Sequence, residues 1–151
     1  MKRFEIILGI VFLIAVIFKI ADWPGGSILA TISLTLLTGF YFYFGFAFFN
    51  NIRLKNILNG NSYQGISVLR IIGSIGAGWG LAILCLGILF NVQHYPGEKI
   101  MLSVGLIAVF VVAIIALIKL FRSKSDFYKM IVLRIGYIGG IGIYFFLMSI
   151  W

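Results

Sequence analysis

Five apolar runs, each long enough to cross a bilayer as a helix, follow one another with little between them. A spanning helix takes about 20 mostly apolar residues. The runs are Phe4–Ala21, Gly26–Phe49, Ile66–Val92, Ile100–Leu120 and Tyr128–Trp151. Composition agrees, with 62% hydrophobic and 11% charged residues, against about 25% charged in a soluble domain. A chain of this length has too little interior to hide so much apolar surface from water, which excludes a soluble globule. The same hydrophobicity excludes a disordered chain. The runs are continuous rather than alternating, which excludes a membrane barrel. Helices remain, because they satisfy their own backbone amides in lipid. The expected fold is all-α: one polytopic transmembrane domain over residues 1–151, with five transmembrane helices.

The start, with Lys2 and Arg3 before an apolar stretch, has the look of a secretory leader. Ala21, Asp22, Trp23 and Pro24 follow it and offer no small-x-small cleavage site, so the stretch is read as a retained first helix. The single cysteine, Cys85, has no partner for an intramolecular disulfide and lies in an apolar run, where a thiol acts as a small hydrophobe.

The connections are of two kinds. Asp22-Trp23-Pro24-Gly25-Gly26 and Gln93-His94-Tyr95-Pro96-Gly97-Glu98 are tight turns, with Pro suited to a helix start and Gly to the turn. Asn50 to Gly65 and Phe121 to Phe127 are polar and basic, and the longer one has room for a short helix on the membrane surface. Ten of the twelve Lys and Arg residues fall on the side of these basic connections, and only Lys19 and Lys99 on the side of the turns. The positive-inside rule then places the N-terminus in the cytoplasm and the C-terminus outside. The net charge of +8 is a topology signal that calls for no nucleic acid. It suits anionic lipid head groups.

An internal repeat is expected. Phe18-Lys19-Ile20-Ala21-Asp22-Trp23-Pro24-Gly25 aligns with Phe90-Asn91-Val92-Gln93-His94-Tyr95-Pro96-Gly97 at an offset of 72, and the match runs on through Leu34 and Leu106. Residues 4–49 and 66–120 would be tandem parallel repeats, two hairpins related by an axis along the membrane normal, with the helix over 128–151 added at the end.

The string Phe18-Lys19-x-x-Asp22-Trp23-Pro24-Gly25 between two spanning helices resembles the transmembrane hairpin of GldL, the inner-membrane subunit of the gliding-motility and type 9 secretion motor of Bacteroidota, where F-K-x-x-H-W-P-G is usual. Met101-Leu102-Ser103-Val104-Gly105-Leu106 is similar to the helix after that turn. The resemblance covers about residues 9–40 and 81–112 and not the last helix. It implies a multi-pass protein of the cell inner membrane, and a motor in which a lysine of the first helix and an acid of the second serve an ion path. Lys19 matches the lysine, whereas Gly26–Phe49 and Ile100–Leu120 contain no Asp or Glu.

Individual residues carry two readings each. Lys19 is either functional, as an intramembrane charge, or a helix-end side chain that snorkels or pairs with Asp22. His94 is a ligand or pH sensor, or a turn residue at the interface; no second His or Cys stands at metal-ligand spacing. With Asp22, Trp23, Pro24, Gly25, Tyr95, Pro96 and Gly97 they make up the candidate functional set. The aromatic run Phe40–Phe49 reads as a belt at the inner interface, with Trp23, Tyr95 and Trp151 as outer counterparts, or as a surface for a flat lipid such as a quinone. Gly73, Gly76 and Gly80 in the third helix and Gly136 and Gly140 in the fifth have the spacing of close helix packing, against each other or another subunit. Arg70 and Arg134 hold matching places near two helix starts, as interface anchors or as a docking site for an acidic group.

No catalytic residue, cofactor or metal is expected. The sequence points to a non-enzymatic scaffold or accessory subunit of a larger membrane complex, partnered by lipids and by other membrane subunits or copies of itself. The alternative is an ion or small-solute translocation component, for which Thr31, Ser33, Thr35 and Thr38 supply hydroxyls.

Overall fold

A computed structural model describes residues 1–149, so Trp151 lies outside the described residues. They form five α-helices: α1 (Lys2–Ile20), α2 (Gly26–Phe49), α3 (Val68–Val92), α4 (Glu98–Ser123) and α5 (Asp126–Met148). No strand occurs among the described residues. Two single 3₁₀ turns, Leu54–Asn56 and Gly60–Tyr63, occupy the long connection in place of a surface α-helix. α2, α3, α4 and α5 are long and apolar enough to cross a membrane. α1 has 19 residues and carries Lys2, Arg3, Glu5 and Lys19. Isoleucines and phenylalanines such as Ile107, Phe110 and Phe121 stand well exposed along α4, a face that only lipid or another apolar surface can cover.

The two tight turns close in the same way. α1 ends with Trp23 N–H donating to the Phe18 carbonyl (2.8 Å), and α3 with Tyr95 N–H donating to the Phe90 carbonyl (2.9 Å). This is the six-to-one bond of a Schellman cap, whose penultimate residue must be left-handed. Asp22 (φ 51°) and His94 (φ 53°) take that place; Asp, Asn and His are the non-glycine residues that best tolerate it. Each aromatic after the cap packs edge-on against its phenylalanine: Trp23 on Phe18 at 5.1 Å and Tyr95 on Phe90 at 5.5 Å. Gly25 (φ 90°) and Gly97 (φ 84°) then open α2 and α4 from a conformation that a Cβ would strain.

Successive helices pack antiparallel, and α5 returns against α3 and α4. Between helices in lipid, apolar burial supplies little drive, and close backbone approach does the holding. That approach is made by glycine. A Cβ on Gly105 would sit 2.6 Å from Leu84 Cα, and one on Gly87 2.7 Å from Leu102 Cα, so α3 and α4 touch backbone to backbone. Gly45 and Gly78 do the same between α2 and α3. In α1 and α2 the positions one repeat offset earlier are Ala15 and Ser33, both fully buried.

The glycines singled out from spacing behave differently. Gly80 is buried against Val109 of α4, but Gly73, Gly76, Gly136 and Gly140 touch nothing in the chain. They therefore do not join α3 to α5; a glycine of α5 that does meet α3 is Gly142, against Leu84. The aromatic run also divides. Phe40, Tyr41, Phe48 and Phe49 are buried in the core, so only Phe42, Tyr43 and Phe44 face outward in the manner of a belt.

Candidate functional site

A charged side chain set among apolar neighbours has to find a partner or a wet surface. Glu5 lies one turn into α1, flanked by Phe4, Ile6 and Ile7, and is buried. Its carboxylate is fully engaged. Arg134 of α5 reaches it in a two-pronged ion pair, Nε donating to Oε1 and Nη2 to Oε2, both at 3.2 Å. The Tyr41 hydroxyl of α2 donates to Oε1 at 2.8 Å. The Arg134 guanidinium also lies 5.4 Å from the centre of the Phe48 ring. One turn further along the same two helices, the Tyr137 hydroxyl donates to the Gly9 carbonyl at 2.9 Å.

These bonds join helices that are otherwise apart. Below and beside the pair, α1 and α5 leave an open groove of about 260 Å³, walled by Ile6, Ile10, Leu13 and Leu133. The polar bridge thus does for α1 and α5 what glycine does for α3 and α4. Planar guanidinium and carboxylate fix each other's orientation, which a point contact between alkyl chains cannot do.

Arg70 is the counterpart of Arg134 on α3. Its Nε donates to Asn50 Oδ1 (2.9 Å), and its guanidinium sits 4.5 Å from the centre of the Phe127 ring. Asn50 Nδ2 in turn donates to the Ser74 hydroxyl oxygen (2.9 Å) and the Phe46 carbonyl (2.8 Å). Both arginines are turned onto the protein, each across an aromatic ring from another helix.

At the opposite end the turns converge. Lys19 and Asp22 from the first and His94 from the second line one recess of about 370 Å³, with Asn91, Glu98 and Tyr144. Lys19 makes no ion pair with Asp22; His94 Nδ1 stands 3.7 Å from Glu98 Oε2, beyond hydrogen-bond range. Trp23, Pro24 and Gly25 line a second recess at the first turn with Lys19 and Asp22, and Tyr95, Pro96 and Gly97 one at the second turn with His94 and Glu98. Gln93 ties the ends together, donating to the Thr31 hydroxyl and, at 3.4 Å, to the Ser27 carbonyl.

The hydroxyls of α2 mostly look inward to their own helix. Thr31 donates to the Ser27 carbonyl and Ser33 to the Leu29 carbonyl, so neither is free to line a path. Among the described residues, no three His, Cys, Asp or Glu side chains gather where a metal could sit.

Glu5 and Tyr41 are the site residues that the sequence reading missed. Lys2 and Arg3 stand just before Glu5 in the sequence and mask it as part of a charged end. The available signal is that it opens an apolar run, with Phe4 before it and Ile6, Ile7 and Leu8 after it.

Long apolar helices joined by few polar side-chain contacts define a multi-pass helical membrane protein. Within it, residues 76–130 match the family model of the GldL N-terminal domain. The matched segment is about a third of the chain, and it is similar to GldL over the second half of α3, the second turn, all of α4 and the start of α5. It therefore extends past the hairpin expected at 81–112 into the fifth helix. No curated protein and no solved structure matches the chain.

Proposed function

We propose that this chain is a non-enzymatic subunit of a larger inner-membrane assembly, crossing the bilayer five times with its N-terminus in the cytoplasm. The ten cations at the end that holds Lys2, Arg53 and Arg122 support that orientation. The shared cap and glycine geometry of the two turns supports two tandem hairpins with α5 appended.

The observation that carries the subunit role is the set of outward glycines. Glycine costs a helix about 1 kcal/mol relative to alanine. Gly73, Gly76, Gly136 and Gly140 bring no compensating contact within the chain, since their faces are empty. Such faces suit the close approach of a helix from another subunit or copy. Cysteines placed at 76 and 140 for disulfide crosslinking in native membranes test this. Specific crosslinked species, lost in a Gly73→Leu, Gly136→Leu variant that still folds, are the expected result. A chain that stays monomeric at every position would remove the basis of the proposal.

Ion or solute translocation is a second reading, favoured by the charged cluster at one end of α1 and the Lys19 recess at the other. The resemblance to GldL implies an acid on the second helix; here Glu5 brings a carboxylate against α2 from α1. Glu5 and Lys19 are 14 residues apart, about 21 Å along the helix, so they form two sites rather than one. Flux into vesicles that Lys19→Ala abolishes would favour this reading; equal leak with and without protein would end it.

A further inference from the structure

A further recess lies away from both of the sites above. It has a volume of about 650 Å³ and lies where the start of α1 meets the α2–α3 connection. Lys2, Arg53 and Lys55 line it, and no acid does. Its floor is apolar, formed by Phe48 and Ile52, both buried.

Local folding explains why the cations meet there. After α2, Ile52 N–H donates to the Ala47 carbonyl (2.8 Å), the same six-to-one cap as in the tight turns. Asn51 takes the left-handed place (φ 58°), and Ile52 tucks into the core. The chain is thereby turned back, so that Arg53, Leu54 and Lys55 lie over the first turn of α1. That turn presents backbone N–H groups at the positive end of the helix, and its one acid, Glu5, is committed to Arg134.

Three cations around an apolar floor call for an anion. A second feature says which kind. Leu54 lines the recess and is half exposed, and Leu58, in the same connection, is 99% exposed. A leucine so bare beside a basic recess belongs in acyl chains, not in water. We infer that this recess holds the phosphate of an anionic phospholipid, with Lys2, Arg53 and Lys55 on the head group and Leu54 and Leu58 in the adjacent acyl layer. Such a lipid would staple α1 to the α2–α3 connection, at the end of α1 that the Glu5–Arg134 pair also holds. The inference is independent of whether the chain acts as a subunit or a translocator.

The test is native mass spectrometry of the full chain in a neutral detergent, titrated with phosphatidylglycerol, phosphatidylcholine or inorganic phosphate. A Lys2→Gln, Arg53→Gln, Lys55→Gln variant is compared with Lys119→Gln, Arg122→Gln, Lys124→Gln, which removes equal charge from exposed positions at the end of α4. Each cation near an anionic surface contributes roughly fivefold in binding. The first variant should therefore lose phosphatidylglycerol affinity by tenfold or more. The second should lose less than about threefold, through long-range attraction alone. Phosphatidylcholine should bind weakly and equally to all three proteins. Equal losses in the two variants would reduce the site to bulk charge and overturn the inference, as would no loss in either. Displacement of the lipid by inorganic phosphate would also overturn it, assigning the recess to a soluble phosphate. Should the triple variant fail to fold, Lys55→Gln and Arg53→Lys read the same ranking singly, the second keeping charge while losing the planar fork.

Discussion

The two hairpins share a turn but are held by different physics. In α3–α4 the helices meet backbone to backbone through Gly87 and Gly105. In α1–α2 the corresponding places hold Ala15 and Ser33, and α1 gains its fixed position from Glu5, which bonds to Tyr41 on α2 and to Arg134 on α5. The lesson concerns lipid as a solvent. Lipid tails are as apolar as leucine, so a helix pair needs either backbones near enough for dense packing or polar groups that lipid cannot satisfy. This chain uses glycine between α3 and α4 and a polar bridge between α1 and α5, while Gly26 also approaches the α1 backbone near the first turn. The half held by glycine is also the half within the GldL-like match, 76–130.

The largest expected effect breaks the glycine solution. Gly105→Leu drives a side chain into the Leu84 backbone, costing more than about 3 kcal/mol. A fluorescent fusion of this variant should lose its monodisperse peak on size-exclusion chromatography. Next comes the polar solution. Arg134→Leu strands the Glu5 carboxylate, at about 2–4 kcal/mol, visible as a lower midpoint in detergent-induced unfolding. Tyr41→Phe leaves the ion pair and removes one hydrogen bond, about 1 kcal/mol by the same assay. Smallest, and opposite in sign, is Gly140→Ala. With no neighbour to clash against, the alanine should stabilise the isolated chain by about 0.5 kcal/mol. A destabilisation there would show that this glycine is used within the chain.

The spanning helices and turns were legible because lipid imposes length and continuity on apolar runs, and Pro-Gly turns punctuate them. α2 begins and ends where the sequence places it, and α1, α3, α4 and α5 differ at their ends by a few residues. What faces what was not legible. In a soluble helix the buried stripe is more apolar than the exposed one; here Ile107 faces outward and Leu102 inward, and composition cannot rank them. Glycine spacing therefore named Gly73, Gly76, Gly136 and Gly140, while Gly87 and Gly105 do the intrachain packing. Tyr41 was hidden in an aromatic run, and Glu5 among terminal charges. Tyr41 meets Glu5 across the first hairpin, 36 positions away, and Arg134 meets it only through the return of α5 to α1, 129 positions away.

The claim that the Glu5–Arg134 pair docks α1 on α5 is tested most directly by a double-mutant cycle with Glu5→Leu and Arg134→Leu in lipid nanodiscs. Coupling of about 1–2 kcal/mol is predicted, with the double variant more stable than Arg134→Leu alone. Additive losses, with coupling near zero, would contradict it and leave α1 held by α2 alone.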